Sequence, residues 1–217
     1  YGLFDYQISA LRRIIGISNI GSRAVLHFPT GAGKTRTAIY AVCEVLNKNT
    51  PCTVVWLASG KELLDQAAEA FEEAWPHLGN RKLNLLTMWG DMNPDIEQFE
   101  DGLLIVGLAK ASSALRSDKH WGRKLAKSNR LVVFDEAHQA IAPTYKRVTE
   151  RLSADPKCGL LGLTATPGRT WSDIDQDGEL ADFFLQEKIA LEVNSDLNPI
   201  EYLVSEGYLS DPDFRIM

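Results

Sequence analysis

The sequence has little cysteine, no long apolar run and no excess of positive charge. Its three cysteines, Cys43, Cys52 and Cys158, lie apart within apolar stretches. An odd and scattered set argues against a disulfide framework or a zinc site, and it fits the reducing cytoplasm. No apolar run approaches the roughly 20 residues that a membrane-spanning helix needs, and the chain does not open with a signal peptide. We therefore expect a cytoplasmic location and no membrane partner.

The charge balance of the 217 residues is acidic, with a formal net charge of -6. No overall basic field indicates nucleic acid, so such a partner has to be argued from local sites. The chain is 45% hydrophobic and 24% charged. These values are typical of a globular domain and argue against disorder and a coiled coil. The length fits one large domain or two small ones.

Short apolar segments alternate with longer amphipathic ones along the chain. Strands are predicted for residues 23–28, 53–58, 83–88, 103–107, 131–135 and 159–164. Several of these strands are continuous apolar runs, as expected for strands that are buried on both faces of a parallel sheet. The alternation predicts an α/β fold with a mostly parallel, doubly wound sheet and helices on both faces. Ligands of such sheets bind at the carboxyl ends of the strands.

Helical patterns separate these strands and flank them. Helices are predicted for residues 5–17, 35–47, 61–75, 109–117, 144–152 and 198–206. Asp5 is a candidate N-cap for the first helix, and Gly207 is a natural stop for the last. The acidic segment 171–182 is interpreted as a surface excursion, and residues 209–217 as the start of a strand or a linker.

A glycine-rich segment joins the first predicted strand to the next helix. It contains Thr30, Gly31, Ala32, Gly33, Lys34 and Thr35. Glycines let backbone N–H groups turn towards phosphate oxygens, and the helix N-terminus adds positive potential. Lys34 would reach the β- and γ-phosphates, and the Thr35 hydroxyl would bind Mg²⁺. Phe28 replaces the first glycine of the strict pattern, and the alternative is a glycine-rich turn that caps a helix.

Two adjacent acids, Asp135 and Glu136, follow the apolar run 131–134. Such acids pack poorly unless they leave the sheet at its edge. There Asp135 would hold Mg²⁺ and Glu136 would orient or deprotonate the attacking water. The alternative is a helix N-terminus at which the dipole favours acids. His138, taken alone, fits a satisfied polar residue as well as a functional one.

Together these motifs resemble those of superfamily 2 helicases and translocases of the DEAH type. The sequence FPTGAGKT at residues 28–35 is followed by DEAH at 135–138 and LTATP at 163–167, in the family's order. Within that family, the sequence as a whole is most similar to motor subunits of type I and type III restriction enzymes and to related repair or defence helicases. The resemblance implies a RecA-like ATP-binding domain over residues 1–208. Residues 209–217 would begin a linker to a second RecA-like domain of a longer chain.

The resemblance also assigns roles in ATP binding and in coupling. Gln7 would read the adenine edge, and Phe4 would stack on the ring or simply pack. Asp135, Glu136 and His138 would form the catalytic motif with Lys34. Thr164 and Thr166 would couple the state of the γ-phosphate to the grip on nucleic acid, or serve only as turn residues.

Nucleic-acid contacts are implied in two loops at the carboxyl ends of strands. The candidates are Ser59, Lys61, Lys110 and Ser112. Such contacts bind phosphates and do not read sequence. Ser59, Gly60 and Lys61 depart from the residues that are usual in the family. A further basic stretch over residues 119–130 would widen the track or form a solvated helix surface.

These observations predict the ATP-binding half of a helicase or translocase that uses ATP and Mg²⁺ and acts on nucleic acid, with DNA preferred over RNA. One alternative is a duplex translocase that does not separate strands. Another is a nucleotide-gated binding module with little turnover, against which Lys34, Asp135 and Glu136 argue. The isolated domain is expected to be nearly inactive.

Overall fold

Seven parallel strands form one sheet in a computed structural model that describes residues 2–165, 174–191 and 198–210. Their bounds are β1 Arg23–His27, β2 Thr53–Ala58, β3 Asn84–Met88, β4 Gly102–Gly107, β5 Asn129–Asp135, β6 Gly159–Thr164 and β7 Lys188–Ala190. The strands lie in the order β3-β4-β2-β5-β6-β1-β7. The predicted parallel α/β sheet is therefore confirmed.

Helices connect the strands and cover the sheet. Within the described ranges they are α1 Asp5–Ile20, α2 Lys34–Lys48, α3 Lys61–Leu78, α4 Leu108–Ser117, α5 Lys119–Ser128, α6 Pro143–Leu152, α7 Ile174–Phe183 and α8 Pro199–Ser205. A 3₁₀ turn, Ala137–Gln139, follows β5. No helix in the part of the chain that the structure describes has the length and apolar character needed to cross a membrane.

The sheet separates two hydrophobic cores. On one face α1, α2 and α3 pack against the sheet, with Trp56 of β2 among the fully buried side chains. On the other face α4, α5, α6 and α7 pack, and Leu57 of the same strand belongs to that core. Successive β2 residues alternate between the two cores because side chains of a strand point to opposite faces. Both faces are covered, which explains why the strands are apolar throughout.

Two predictions about local structure are wrong. Residues 171–182 were expected to form a surface excursion, but within the described part Ile174–Phe183 is the helix α7. Leu180 and Phe184 are buried in the core, four residues apart as on one helix face, whereas Glu179 and Asp182 are exposed. Asp5 is not an N-cap, because α1 begins at Asp5 and its N-cap is Phe4.

The register of the sheet brings the carboxyl ends of its central strands to one edge. His27 of β1 lies beside Thr164 of β6, and Leu163 lies beside Asp135 of β5. On the other side, Ala58 of β2 lies beside Gly107 of β4. The polar residues that follow these strands therefore share one surface, as the sequence predicts.

Candidate nucleotide-binding site

The loop between β1 and α2 has the backbone form of a phosphate cradle. Gly31 and Gly33 have φ angles of 81° and 77°, in the left-handed region that favours glycine. A Cβ atom on Gly33 would collide with the amide group of Gln7, and one on Gly31 would lie 2.9 Å from Leu209 Cδ2. Only glycine fits both positions. Thr30 and Gly31 are exposed, so the loop is accessible from solvent just before the N-terminus of α2.

Lys34 begins α2 and turns its side chain back over the loop. Its Nζ donates to the carbonyl oxygens of Phe28 at 3.1 Å and Pro29 at 3.3 Å. Burial lowers the pKa of Lys34, while Asp135 and Glu136 act to raise it. The ammonium group is thus held within the loop by two backbone carbonyl groups. Phe28 itself is fully buried, so the missing glycine of the strict pattern is replaced by a core side chain.

Helix α1 closes one side of the cradle through two side chains. Gln7 Nε2 and the Tyr6 hydroxyl both donate to the carbonyl oxygen of Ala32, at 3.2 and 3.0 Å. Gln7 Oε1 accepts a hydrogen bond from the backbone N–H of Phe4 at 3.0 Å. Gln7 is only 2% exposed. Its amide has one donor and one acceptor position beyond these bonds, which is the pair that an adenine edge requires.

Three aromatic rings, Phe4, Tyr6 and Tyr208, form a cluster at the N-terminus of α1, next to the phosphate loop. The Phe4 ring lies 4.4 Å from the Tyr208 ring and 6.0 Å from the Tyr6 ring, centroid to centroid. Phe4 is nevertheless 49% exposed. Phe4 therefore both packs and presents ring surface, so the two interpretations from the sequence are compatible. Tyr208 and Leu209 are contacts that the sequence analysis did not identify.

Asp135 and Glu136 differ in burial and in backbone conformation. Asp135, the last residue of β5, is 6% exposed, and its Oδ1 accepts a hydrogen bond from the Glu136 N–H at 3.0 Å. Burial raises the pKa of Asp135 to about 6. Glu136 has a φ of 56°, a strained value for a residue other than glycine. Its Oε2 lies 3.2 Å from His138 Nδ1, which pairs the two side chains of the DEAH motif.

The residues fit a nucleoside triphosphate with Mg²⁺. Thr35 and Asp135 offer the oxygen atoms that Mg²⁺ prefers. A cation beside the buried Asp135 carboxylate would offset its desolvation. Among the described residues no cluster of three or more His, Cys, Asp or Glu side chains forms a separate metal centre. A metal at this position therefore depends on phosphate and water oxygens as well.

His27 is a site residue that the sequence analysis missed. Its Nε2 lies 3.1 Å from the carbonyl oxygen of Ala165, just after β6, and burial lowers the pKa of the ring. It thus links the strand before the phosphate loop to the segment that contains Thr164, which is buried. A histidine inside an apolar strand, directly before the loop, is the signal that could have identified it. Thr166 lies outside the described residues.

The structure places the nucleic-acid candidates on the same edge, with one difference among them. Ser59 and Lys61 are exposed around the N-terminus of α3, and Lys110 Nζ donates to Asn93 Oδ1 at 3.4 Å on α4. Ser112 is only 6% exposed because it faces the space between α4 and α6. Ser59, Lys61 and Lys110 therefore lie at the carboxyl edge of the sheet. Ser112 instead lines the groove between α4, α5 and α6.

A glycine cradle, a lysine within it and two acids on a nearby strand end define a P-loop nucleoside-triphosphate-binding domain of the α/β class. The family described as "Type III restriction enzyme, res subunit" matches residues 1–169. The chain belongs to this family, which carries superfamily 2 helicase motors of RecA-like fold.

Individual relatives agree with this assignment. "Putative helicase 22" of a Sulfolobus islandicus filamentous virus is 26% identical over 92% of this chain. "ATP-dependent RNA helicase DHX58" of Mus musculus is 29% identical over 68% of it. The chain covers 34% and 23% of these relatives, so it spans about a third of their length or less.

Solved structures show the same fold. The Hef helicase domain of Pyrococcus furiosus superposes with a TM-score of 0.64 at 23% identity, covering 85% of this chain and 38% of that one. The Type ISP restriction-modification enzyme LlaGI, in complex with a DNA substrate mimic, gives a TM-score of 0.62 at 18% identity. This match covers 96% of the present chain and 21% of the LlaGI chain.

Proposed function

We propose that this chain is the ATP-binding half of a DEAH-type motor that couples ATP hydrolysis to movement on nucleic acid. The observation that carries the proposal is the glycine loop at the carboxyl edge of the sheet, with Lys34 bonded inside it and with Asp135 and Glu136 at the end of β5 on the same edge. A purely structural glycine turn has no need of a buried acid whose pKa is raised to about 6.

Each of these side chains has a defined task in phosphoryl transfer. Lys34 exchanges its two backbone carbonyl partners for phosphate oxygens, which are stronger acceptors because they are charged. Mg²⁺ held by Thr35 and Asp135 would supply charge neutralisation on the phosphates. Glu136 orients and deprotonates the attacking water, and its carboxylate lies 3.2 Å from Nδ1 of His138.

The nucleic-acid part of the proposal rests on the edge that Ser59, Lys61 and Lys110 share with the cradle. Thr164 is proposed as a coupling residue because it ends β6, which lies between β5 and β1. Thr166 is proposed for the same role on the family resemblance alone. We propose DNA as the partner, in line with the DNA substrate mimic in the LlaGI complex. A second RecA-like domain and a cytoplasmic location complete the proposal.

The test is nucleotide binding by Lys34→Ala, measured by titration with a fluorescent ATP analogue and Mg²⁺. Loss of a charge-assisted contact should weaken binding by about 10- to 100-fold. Lys48→Ala is the matched control, because Lys48 ends the same helix and is exposed. Equal affinity in Lys34→Ala and the parent would exclude the phosphate-loop assignment, and with it the proposed motor.

A further inference from the structure

Four arginines line a groove that the proposed ATP chemistry does not use. The groove lies between α4, α5 and α6, has a volume of about 360 Å³, and contains Arg116, Arg123, Arg147 and Arg151. All four side chains are exposed. Leu115 and Val148 also line it. We refer to it as the arginine groove.

Helical spacing explains why these side chains meet. Arg147 and Arg151 are four residues apart on α6, and Arg116 follows Ser112 by four residues on α4, so each pair shares a helix face. On α5, Lys127 follows Arg123 by four residues. Lys127 lines an adjoining cavity together with Arg123 and Arg151. The positive surface therefore continues past the end of the groove.

A single glycine lets the three helices approach closely. A Cβ atom on Gly122 of α5 would collide with Leu115 of α4, and it would lie 2.9 Å from Arg151 Cγ of α6. Glycine at this position therefore brings Arg123 and Arg151 to the same wall of the groove. The sequence left two interpretations open for the basic segment 119–130, a nucleic-acid contact or a solvated helix surface. In the structure its residue Arg123 lines the arginine groove.

Within the part of the chain that the structure describes, the four arginines of the groove have no ion-pair partner. Across the described ranges none of the four guanidinium groups forms an ion pair or a side-chain hydrogen bond. Asp155, which lines the adjoining cavity, pairs with Arg130 at 3.7 Å, and Glu97 pairs with Lys124 of α5 at 3.8 Å. In a chain of net charge -6 this is a local concentration of unpaired cations. Such a surface attracts an anionic ligand.

We propose that the arginine groove binds the sugar–phosphate backbone of a nucleic-acid strand that continues from the carboxyl edge of the sheet. The proposal rests on the proposed function. Ser112 lines the groove and lies two residues after Lys110, so the groove opens next to the predicted contacts at that edge. Arginine forks bind phosphate oxygens in pairs, which a surface of lysines does less well.

The dimensions of the groove suit a short length of strand. Thr144 and Arg151 both line it and are seven residues apart on α6, which corresponds to about 10 Å of helix. A nucleic-acid strand advances by about 3.4 Å per nucleotide, so the groove accommodates about three nucleotides. Arginine side chains dominate the lining of the groove, with Leu115 and Val148 between them, so we expect the contacts to be made mainly to phosphate oxygens. Binding should therefore be independent of sequence.

The experiment measures binding of a labelled oligothymidylate of about 20 nucleotides to the 217-residue chain at several salt concentrations. In Arg123→Gln/Arg151→Gln we expect roughly tenfold weaker binding at low salt. The slope of log affinity against log salt should fall by about 0.7 for each lost contact. The control Arg12→Gln/Lys82→Gln removes two exposed cations outside the groove and should change affinity by less than about twofold.

Three outcomes overturn the proposal, and they separate it from the proposed motor function. Unchanged affinity and salt slope in the groove variant would show that the strand binds elsewhere, while the motor assignment stands on Lys34. If a labelled polyglutamate peptide binds the groove and the oligonucleotide does not, its partner is an acidic protein segment. No binding of the oligonucleotide by the parent chain also rejects the groove. ATP binding should be equal in parent and groove variant, because Lys34 lies outside the groove.

Discussion

At the scale of single residues, the two acids after β5 are distinguished by burial. Asp135 is buried and accepts the N–H of Glu136, whereas the Glu136 side chain is 35% exposed. The left-handed backbone of Glu136 costs on the order of 1 kcal/mol and aims its carboxylate towards His138. The proposed metal ligand, Asp135, and the proposed base, Glu136, are thus adjacent in the chain but differ in burial.

Glu136→Gln should separate ATP binding from hydrolysis. The amide keeps the size and the hydrogen bonding of the side chain but cannot act as a base. We expect ATP affinity close to that of the parent and phosphate release slower by about 10²–10⁴-fold. Glu62→Gln, an exposed acid at the start of α3, is the control. Hydrolysis within about twofold of the parent would assign the base to another residue.

Asp135→Asn should stabilise the metal-free protein at neutral pH. Burial raises the pKa of Asp135 from 3.8 to about 6, so the folded state binds its proton more tightly than the unfolded state does. The charged carboxylate therefore reduces the free energy of unfolding as pH rises from about 4 to 6, and the cost remains above that range. We expect Asn to add about 1–3 kcal/mol at pH near 7.5 and little near pH 4.

Urea unfolding of Asp135→Asn and the parent across this pH range, with a chelator present, measures the difference. Asn retains an oxygen for the Glu136 N–H, so the hydrogen bond is not lost. Addition of Mg²⁺ and ATP should stabilise the parent more than the variant, because Asn is a weaker metal ligand. A difference that is independent of pH would show that desolvation of this carboxyl is not the cause.

Residues of the site were predictable from the sequence where they belong to a continuous motif. Asp135 ends a predicted strand, Glu136 follows it, and Lys34 begins the helix after the first strand, so the strand pattern predicts their positions. His27, Tyr208 and Leu209 are known as site residues only from the structure. Leu209 and Gly31 lie close together in space although most of the chain separates them in sequence. A local sequence pattern cannot predict such a contact.

At the scale of secondary structure, the phosphate loop is held between two helices. Gly33 is the N-cap of α2, and the amide of Gln7 from α1 occupies the space beside it. Gln7 also bonds the carbonyl of Ala32 in the same loop. The shape of the cradle thus depends on the docking of α1.

Gly33→Ala should destabilise the fold and weaken ATP binding together. The left-handed φ and the collision with Gln7 each oppose a Cβ atom, and we expect a loss of about 1–3 kcal/mol in unfolding free energy. Gly16→Ala is the matched control: Gly16 lies in α1, is exposed, and a Cβ there meets nothing within 4 Å. That change should stabilise the protein by about 0.5–1 kcal/mol. Opposite signs in thermal unfolding are the expected result, and two losses of similar size would contradict it.

The elements that the sequence predicted well are those with the strongest burial pattern. The strands β2 and β6 have the predicted bounds because every residue in them is buried. The strand β7 has three residues, too few for a pattern, and pairs only at the edge with β1. Helix α5 buries Trp121, Leu125 and Ala126 on one side, but Gly122 and its basic residues obscured that face.

At the scale of the whole molecule, charge is distributed unevenly over the two proposed sites. Lys34, Asp135 and Glu136 lie at the carboxyl edge of the sheet, whereas the arginine groove lies along the helices α4, α5 and α6. The net charge of -6 conceals this separation. The sequence therefore excluded a general basic field correctly, but only the packing of three helices shows where the cations gather.

The 217-residue chain alone should bind ATP weakly and hydrolyse it very slowly. Phosphoryl transfer spreads negative charge over the γ-phosphate, and the family resemblance implies that arginines of a second motor domain neutralise it. Among the described residues, the charged groups that shift the pKa values of Lys34 and Asp135 are each other and Glu136, and no arginine is among them. A supplied arginine is worth roughly 10³–10⁵ in rate, so its absence should limit turnover on that scale.

The measurement is steady-state phosphate release with and without single-stranded or duplex DNA, with Glu136→Gln to subtract contaminating activity. We expect little stimulation by DNA, because only one wall of the proposed track is present. Turnover of several per second with strong stimulation by DNA would show instead that the chain completes its own site, for example by self-association.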